Sequence, residues 1–391
     1  MTMPRPRVFV SVHGRFHAFE LSAELARHRV LAGVATTYPT FIARRFLPRD
    51  TPLYTAPFLE AARRVYARLP NRLTRAHGLD PWLAERFGRF IAEKLPKDID
   101  VLIAWSGGAK EIIPRAHERG VKVMLERGST HIAHQAEVLN AAFREFGMTA
   151  PAVPLAMIER EMAEYDAVDA ISVPTRYAAR TFTERGVPED KVFVNPYGVE
   201  LSRFFRPKTD DNGQGGRPVR ILFVGRVDIR KGIPWLLRAF APLAKTAELH
   251  VVGPVPKDMR RILDRESLIN VKIHGPVPST ALPELYKSAD IFCLPSLEEG
   301  FALVLLQAMA AGLPVVASDV SGAENLIVPG EHGYLVPPRE SAALSDKLSM
   351  LIQDGARRSA MGSAARKRVE AGYTWRDYGD RAVELIRKLV S

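Results

Sequence analysis

The chain has 391 residues, more than one hydrophobic core usually supports, so we expect two domains. Apolar residues make up 47% of it and charged residues 25%, an ordinary globular balance. No apolar run approaches the ~18 residues that span a bilayer, and the apolar start is too short for a signal peptide. The single cysteine, Cys293, excludes an internal disulfide and lies in an apolar run. We therefore expect a cytoplasmic protein with a buried thiol.

The net charge of +11 favours a negatively charged partner or surface. Most of it lies in residues 1–100, which contain 17 Lys and Arg against 9 Asp and Glu. Nucleic acid, anionic lipid and anionic glycan are all compatible with this charge. The cations do not alternate with aromatic residues as a base-stacking surface requires, so we expect no nucleic acid partner.

Short apolar runs alternate with helical stretches along the chain, a pattern typical of parallel sheets covered by helices. In the N-terminal half the predicted strands are 8–12, 30–35, 101–105, 121–125, 170–173 and 192–195. In the C-terminal half they are 220–224, 248–252, 271–274, 291–294 and 314–317. Each half therefore has enough strands for a doubly wound α/β sheet of its own.

A polar, glycine-rich segment flanked by prolines separates the two halves and is typical of an interdomain linker. It covers residues 206–218. We therefore predict an N-terminal domain at 1–205 and a C-terminal domain at 219–375. A final amphipathic helix follows at 376–391, with Trp375 as a packing anchor at its start.

Two further helices are predicted at 57–75 and 81–95. Their predicted inward faces are Phe58, Ala62, Val65 and Leu69 in the first helix and Leu83, Phe87, Phe90 and Ile91 in the second. Arginines surround the first stripe. This region is either a packed pair of helices with a solvated basic face or a surface that rests on an anionic membrane.

The first chemical constellation follows the predicted strand 220–224. Gly225 ends the strand, and the loop behind it carries Arg226, Arg230 and Lys231 before a helix begins. Ligands of open parallel sheets bind beyond the carboxyl ends of strands. Cations beside helix N-terminal amides suit a diphosphate, whereas a solvated basic loop is the alternative interpretation.

The second constellation is an acidic turn between a strand and a helix. The carboxylate of Glu299 can accept hydrogen bonds from sugar hydroxyls, while the amides from Gly300 to Leu303 would face a phosphate. Gln307 lies eight positions after Glu299, about two helical turns. Glu298 is out of register with Gln307, and we expect it to be solvated.

Together these segments resemble family 4 of the glycosyltransferases, retaining enzymes of the GT-B fold. The strongest matches are Phe223-Val-Gly-Arg226 with Lys231-Gly232, Pro295-Ser-Leu-Glu-Glu-Gly-Phe-Ala-Leu303 and Ala308-Met-Ala-Ala-Gly-Leu-Pro-Val-Val316. Further matches are Asn195-Pro-Tyr-Gly-Val-Glu200, Ser321-Gly-Ala-Glu-Asn-Leu-Ile327 and Gly333-Tyr-Leu-Val-Pro337. The resemblance runs from about Val121 to Trp375 and is most specific in the C-terminal half.

The resemblance implies two Rossmann-like domains that face a central cleft, with the C-terminal helix crossing back onto the N-terminal domain. It also implies that Arg226 and Lys231 bind the donor diphosphate and that Glu299 holds a hydroxyl of the donor sugar. The remaining donor-binding positions that it implies are Gly14, Gly225, Gly300, Phe301, Ala302, Leu303 and Gln307. The family usually has a second glutamate on the nucleotide ribose where this chain has Gln307.

Glutamine at position 307 still accepts one hydroxyl hydrogen bond and donates another. It forgoes the charge-assisted strength of a carboxylate, worth ~1 kcal/mol. The departure at Gln307 therefore indicates weakened or retuned nucleotide recognition. The other interpretation is that the chain is a member of this family that no longer binds a sugar donor.

In the N-terminal half, relatives place a histidine just after the strand matched by 121–125, near the reaction centre. His131 is the match, with His134 close by, and its implied role is a hydrogen bond to the donor sugar. Arg127, Ser106 and Gly107 are predicted to lie on the acceptor side, and Gly14 to allow a close backbone approach.

Asp98-Ile-Asp100 spells a metal-binding pattern of another glycosyltransferase fold, but it precedes a strand, at the end opposite to the ligand site. We interpret it as a turn and expect no catalytic metal. The expected co-substrate is a nucleotide-sugar, and no further cofactor is predicted.

These expectations combine into retaining transfer of a sugar from a nucleotide diphosphate donor to a hydroxyl of a glycan or lipid-linked acceptor. A place in surface polysaccharide assembly, peripheral on the inner face of the membrane, would fit the basic N-terminal region. The alternatives are a GT-B isomerase or phosphorylase, or a non-catalytic binder of glycan or nucleotide. The donor base, donor sugar and linkage stay open at this point.

Overall fold

The computed structural model describes residues 5–66, 79–148, 151–204 and 217–391. In the first half the strands are β1 (Val8–Val12), β2 (Leu31–Thr36), β3 (Leu53–Thr55), β4 (Val101–Trp105), β5 (Lys122–Glu126), β6 (Ala170–Val173) and β7 (Val192–Val194). In the second half they are β8 (Val219–Val224), β9 (Ala247–Val252), β10 (Val271–Gly275), β11 (Ile291–Leu294), β12 (Val315–Ser318) and β13 (Gly333–Val336).

Helices connect these strands. In the first half they are α1 (Ala18–Arg27), α2 (Thr40–Ala43), α3 (Pro57–Tyr66), α4 (Leu79–Lys94), α5 (Ile113–His117), α6 (Ile132–Glu145), α7 (Leu155–Ala167) and α8 (Arg176–Thr183). In the second half they are α9 (Ile233–Phe240), α10 (Arg260–Leu263), α11 (Leu282–Lys287), α12 (Leu303–Ala310), α13 (Ser341–Gln353), α14 (Gly355–Glu370) and α15 (Trp375–Val390). Among the described residues, no helix is long and apolar enough to cross a bilayer.

The strands form two parallel sheets with the same winding. Their orders are β3-β2-β1-β4-β5-β6-β7 and β10-β9-β8-β11-β12-β13. In the first sheet β1 lies between β2 and β4, and in the second β8 lies between β9 and β11. The strand order reverses at this central strand, and such a reversal opens a crevice at the carboxyl ends of the strands. The predicted α/β class with two doubly wound sheets is confirmed.

Continuous apolar sequences explain why the central strands are parallel and covered on both faces. Every residue of β1, β4, β6, β11 and β12 is buried. Cys293 lies in β11 and is buried as expected, and its burial raises the pKa of the thiol above its usual range. The thiol therefore stays protonated and acts as a small apolar side chain.

The predicted strands agree with the observed ones to within one residue at each end, but two observed strands were not predicted. β3 is only three residues long and half-buried, so it shows no clear alternation of apolar and polar residues. β13 begins with Gly333, a residue that weakens strand signals. β3 pairs with β2, and β13 pairs with β12. These neighbouring strands supply the backbone hydrogen bonds, so the two short sequences form strands without a strong strand pattern of their own.

The predicted inward stripe of the helix at 57–75 is confirmed for Ala62, which is half-buried against the core, and is wrong for the other two described members. Phe58 and Val65 are exposed, whereas Leu59 and Glu60 are buried. Glu60 faces inward because Arg63 and a neighbouring arginine both pair with its carboxylate. Leu69 and the predicted end of this helix lie outside the described residues. In α4 the predicted face is confirmed for Leu83, Phe87 and Ile91, and Phe90 is half-buried.

The predicted linker lies mostly outside the described residues, which resume at Arg217. The guanidinium of Arg217 pairs with Asp290 at 2.7 Å, just before β11. The glycine-rich fragment 213–216 is not described. The boundary near residue 205 and the division into domains therefore stay predictions.

The last helix, α15, crosses back to the N-terminal sheet and packs against α1, as the resemblance implied. Among its fully buried side chains is Tyr378, which is 0% exposed and donates a hydrogen bond of 3.3 Å to Glu126 at the end of β5. Trp375 is half-buried, with its ring 5.8 Å from that of Tyr378. Trp375 thus contributes to the anchor, and Tyr378 is its buried centre.

Truncation of this anchor tests its contribution to stability. Replacing Tyr378 with alanine removes a fully buried aromatic ring, so we expect Tyr378→Ala to cost about 3–5 kcal/mol of unfolding free energy. Chemical denaturation followed by circular dichroism measures the loss. Arg376→Ala, on the exposed side of the same helix, is the control and should leave the midpoint nearly unchanged. An unaltered midpoint in Tyr378→Ala would contradict the packing described above.

Candidate active site

The loops after β8 and β11 lie side by side at the crevice of the C-terminal sheet. The backbone N–H of Leu297 donates to the carbonyl of Arg230 at 2.8 Å. Gly232 has a φ of 73°, and a Cβ there would lie 1.9 Å from the carbonyl oxygen of Pro295. Position 232 therefore requires glycine, which lets the two predicted motifs touch.

This contact brings Lys231 and Glu299 together. The Lys231 ammonium and the Glu299 carboxylate form an ion pair, and both side chains are largely buried. Asp228 supports the same loop, because it accepts a hydrogen bond of 3.0 Å from the backbone of Lys231 and pairs with Arg226 at 3.2 Å. Burial raises the pKa of Asp228 although the nearby cations oppose the shift. Asp228 was not predicted from the sequence.

Arg226 stands at the mouth of the crevice, with its side chain 63% exposed. Gly225 ends β8, and its amide donates to the carbonyl of Val252 at 2.9 Å. The site thus has one deep cation, Lys231, and one outer cation, Arg226. Both residues follow the carboxyl end of β8, so their side chains can reach a diphosphate bound at that end of the sheet.

The start of α12 supplies the backbone amides that the sequence predicted. Ala302 is the N-cap residue, and Phe301 and Ala302 are buried while Leu303 is half-buried. Two turns along, the side-chain carbonyl of Gln307 accepts a hydrogen bond of 3.0 Å from the hydroxyl of Tyr286, a fully buried residue. Tyr286 was not predicted, because its place near Gln307 depends on the packing of α11 on α12.

The entrance of α12 lies directly against the loop after β5. A Cβ on Gly300 would be 2.3 Å from the carbonyl oxygen of Gly128. The hydroxyl of Thr175 also donates to the carbonyl of Gly300 at 2.9 Å. The two sheets therefore face one another across a cleft whose walls touch at Gly300.

Glu298 is buried at this contact, so the expectation that it is solvated is wrong. It is 0% exposed and pairs with Arg230 at 2.8 Å. Ser129 and Thr130 donate their hydroxyl hydrogens to it at 2.7 and 2.6 Å. Burial alone would raise the pKa of Glu298, but the charge of Arg230 and these hydrogen bonds lower it to about 2. The side chain is therefore an anion at neutral pH.

Arg127 lies behind the same loop and is occupied by internal partners. Its guanidinium donates to the carbonyl of Thr130 at 3.1 Å and to the amide oxygen of Gln135 at 3.0 Å. It also pairs with Glu161 at 3.1 Å and reaches the hydroxyl of Ser106 at 3.4 Å. The structure thus joins Arg127 and Ser106, which the sequence placed on the acceptor side, in one buried network.

Gly107 belongs to the loop after β4, which two charged residues of α7 hold in place. Its amide donates to Glu164 at 2.6 Å, and its carbonyl accepts from Arg160 at 2.6 Å. Burial, followed by the repulsion of Glu161, raises the pKa of Glu164 to about 7. Neither Arg160 nor Glu164 was predicted from the sequence, because these residues of α7 meet the loop only in the folded chain.

Gly14 lies in the loop after β1 with a φ of 140°. Its carbonyl accepts a hydrogen bond of 2.7 Å from Thr36 at the end of β2. The next-door His13 packs against the loop after β4, because a Cβ on Gly108 would be 2.7 Å from its Nδ1 atom. The carboxyl ends of β1, β2 and β4 are thereby joined into one edge of the cleft.

His131 is the N-cap residue of α6, and its Nδ1 atom accepts a hydrogen bond of 3.2 Å from the amide of Ala133. The ring packs against Tyr165 and Phe182, with centroids 5.0 and 5.1 Å away. Burial, with the charge of Arg185 as a second cause, lowers the pKa of His131 to about 4. The imidazole is therefore neutral at physiological pH and caps the helix. Its contact with a donor stays a proposal.

The two aspartates of the Asp98-Ile-Asp100 sequence lie before β4, as expected for a turn. Arg7 pairs with Asp98 at 2.8 Å and donates its amide hydrogen to Asp100 at 2.7 Å. In the part of the chain that the structure describes, no cluster of three or more His, Cys, Asp or Glu side chains could hold a metal ion.

Comparison with solved structures defines the fold of this chain. Sucrose-phosphate synthase of Thermosynechococcus elongatus is similar over 99% of both chains, with a TM-score of 0.70 and 22% identity. HepE of Anabaena, in a structure with UDP and glucose, is similar over 98% of this chain and 100% of its own, with a TM-score of 0.67 and 15% identity. The fold is GT-B, with two parallel-sheet units.

Residues 218–354 match the model of a family described as glycosyl transferases group 1. A D-inositol 3-phosphate glycosyltransferase of Xylanimonas cellulosilytica is 31% identical over 255 residues, which cover 60% of each chain. A second, from Kineococcus radiotolerans, is 32% identical over 66% of each chain. The chain spans about two thirds or less of the length of these relatives.

A GDP-mannose-dependent alpha-(1-6)-phosphatidylinositol monomannoside mannosyltransferase of Mycolicibacterium smegmatis is 28% identical. The match covers 78% of this chain and 80% of that protein. The chain therefore belongs to the group 1 glycosyltransferases, of the family 4 type.

The low pKa of His131 predicts how the stability of the folded protein changes in acid. The folded protein resists protonation of His131 down to about pH 4, whereas the unfolded chain takes up this proton near pH 6.5. The contribution of a neutral His131 is thus complete above pH 6.5 and is lost as the pH falls toward 4. We expect His131→Gln to show a smaller decrease in melting temperature across this range, measured by scanning calorimetry. Parallel curves for the two proteins would contradict the shift.

Proposed function

We propose that the protein transfers a sugar from a nucleotide diphosphate donor to a hydroxyl of a glycan or lipid-linked acceptor, with retention at the anomeric carbon. The observation that carries the proposal is the pairing of Lys231 with Glu299 at the entrance of α12. This pair combines a cation, a carboxylate and free helix amides at the crevice of a doubly wound sheet. Such a site binds a phosphate and a sugar hydroxyl at adjacent points.

The proposed roles follow from the position of each group. Lys231 and Arg226 bind the diphosphate, and their fixed charges stabilise the negative charge that develops as the bond to the anomeric carbon breaks. Glu299 accepts a hydrogen bond from a hydroxyl of the donor sugar. The acceptor hydroxyl attacks the anomeric carbon from the side of the leaving group, and its proton passes to the departing diphosphate. No metal ion is required in this proposal.

Gln307 is the proposed ribose contact. Since its carbonyl oxygen accepts from Tyr286, its amide N–H groups are oriented away from that hydroxyl and can donate to a ribose oxygen. Tyr286 thereby fixes the orientation of an amide that could otherwise rotate. The backbone of Gly225, Gly300 and the first residues of α12 completes the proposed donor site.

The acceptor is proposed to lie along the N-terminal wall, near Gly14, Ser106 and Gly107. Arg127 and His131 border this wall from the loop after β5. One relative is named as a GDP-mannose-dependent phosphatidylinositol monomannoside mannosyltransferase, which supports a nucleotide-sugar donor and a lipid-linked acceptor. Assembly of a surface polysaccharide would provide such an acceptor.

Truncation of the central ion pair tests the proposed donor site. We expect Glu299→Ala and Lys231→Ala each to lower sugar transfer at least ~100-fold, because each removes a charged contact made in the transition state. Release of nucleoside diphosphate from a panel of UDP- and GDP-sugars, with and without lipid extract as acceptor, measures the change.

The matched controls are Glu284→Ala and Lys287→Ala, which break a solvent-exposed ion pair of the same residue types in the same half. Both control proteins should keep wild-type turnover. Wild-type turnover in Glu299→Ala and Lys231→Ala as well would reject the site.

We also propose that the N-terminal edge of the cleft rests on an anionic membrane at its inner face. Phe16, Phe41 and Phe58 are 60%, 68% and 63% exposed. They follow β1, β2 and β3, which are neighbouring parallel strands whose carboxyl ends meet at one edge. Arg63 and Arg64 lie on the helix that Phe58 begins, and both are more than half exposed. Exposed aromatic rings beside cations favour insertion at a lipid headgroup layer.

Vesicle co-sedimentation tests this surface. We expect the triple variant Phe16→Ser/Phe41→Ser/Phe58→Ser to lose binding to vesicles of phosphatidylglycerol and phosphatidylcholine, because serine lacks the apolar ring. Leu268→Ser/Ile269→Ser/Val328→Ser, exposed apolar residues of the C-terminal half, is the matched control and should bind normally. Wild-type protein that stays in solution at low salt would rule out the membrane contact.

A further inference from the structure

A buried carboxylate joins the two halves of the protein at the floor of the cleft. One oxygen of Glu298 accepts hydrogen bonds from the hydroxyls of Ser129 and Thr130, at 2.7 and 2.6 Å. The other oxygen accepts from the side-chain amide of Gln135 at 3.1 Å and pairs with Arg230 at 2.8 Å. We call these five residues the clasp. Three of its members belong to the N-terminal half and two to the C-terminal half.

The clasp is complete only when the halves are closed. Both carboxylate oxygens of Glu298 have partners, and a buried carboxylate without them would be strongly destabilised. Arg230 by itself pairs with only one of the two oxygens. The other contacts come from the N-terminal loop and the first turns of α6. If the halves separated, the Glu298 carboxylate would lose its three donors from the N-terminal half, and water would have to replace them.

The members of the clasp are direct chain neighbours of the proposed donor site. Arg230 precedes Lys231, and Glu298 precedes Glu299. The two loops are also tied to each other, because the guanidinium of Arg230 donates to the backbone carbonyl of Glu298 at 3.3 Å. The clasp therefore sets where these donor-site loops lie relative to the N-terminal wall.

On the N-terminal side the clasp is fastened to the internal network of that half. Gln135 accepts a hydrogen bond of 3.0 Å from Arg127, which is itself paired with Glu161. Arg230 also reaches across the cleft and donates to the hydroxyl of Ser129 at 3.2 Å. The contact is therefore anchored in rigid structure on both sides.

We propose that Glu298 is a positioning residue that holds the two halves closed and thereby sets Lys231 and Glu299 against the N-terminal wall. Its catalytic consequence rests on the proposed function, whereas its effect on closure does not. Glu298 does not touch the reacting groups in this scheme. It acts through its neighbour in the chain and through the loop that ends at His131.

Two variants test the clasp from opposite sides. Glu298→Gln keeps the shape but removes the charge that pairs with Arg230, and its amide nitrogen, which cannot accept, replaces one of the two acceptor oxygens. Ser129→Ala/Thr130→Val removes the hydroxyl donors without altering the C-terminal half. In both we expect kcat to decrease about 100-fold, the effect of a misplacement of about 1 Å. The Kd of UDP or GDP, measured by calorimetry, should change less than about threefold, because the C-terminal half alone holds the nucleotide.

Small-angle X-ray scattering of the ligand-free proteins provides a second readout that needs no donor. Both variants should show a larger radius of gyration than the wild type. The matched control is Glu145→Gln, which breaks a partly exposed ion pair between the same two halves, that of Glu145 with Arg339, and should leave scattering and turnover unchanged.

Wild-type kcat and wild-type scattering in either folded variant would overturn the proposal. If Glu298→Gln does not fold, the Ser129→Ala/Thr130→Val protein decides alone. If wild-type protein releases no nucleotide from any donor in the panel, the proposed function fails, while the scattering comparison still decides whether Glu298 maintains closure.

Discussion

The backbone of Gly300 lies against the backbone of Gly128 with no room for a side chain between them. This close approach is the constraint on which the cleft depends, because it fixes the distance between two sheets that are far apart in the chain. Around it the polar groups of the two loops come within hydrogen-bonding reach. Thr175 contacts Gly300, and Glu298 contacts the hydroxyls of the facing loop. A larger residue at position 300 would separate all of these partners at once.

Within the C-terminal half, each cation of the loop after β8 has a carboxylate partner. Arg226 pairs with Asp228, Arg230 with Glu298, and Lys231 with Glu299. The three pairs differ in exposure, so they differ in how readily an anionic ligand can compete for the cation. The outer arginine gives up little when a phosphate arrives, since its own pair is solvent-exposed. In the pair with Arg230, Glu298 is fully buried although the arginine is 32% exposed, and the carboxylate also holds the hydroxyls of the facing loop, so this pair keeps a structural role.

The N-terminal half holds its loops by buried charge as well. Arg160 and Glu164 of α7 fasten the loop after β4 by hydrogen bonds to its backbone, so the wall of the cleft is rigid near Gly107. Farther out on the same edge, exposed phenylalanines follow three adjacent strands. This apolar outer rim is the surface for which the membrane contact is proposed.

The sequence alone predicted two doubly wound sheets and the loops and helix that carry Lys231, Glu299 and Gln307, because apolar runs and short motifs reflect local structure. It missed β3 and β13, whose short strands take their hydrogen bonds from neighbours. It also misjudged Glu298, whose partners Ser129 and Thr130 lie 169 and 168 positions earlier in the chain. A local sequence pattern carries no information about partners so far away in the chain. A glutamate next to another glutamate is therefore predicted to be solvated. Only the packing of one half against the other gave it the hydroxyls of Ser129 and Thr130 as partners in place of water.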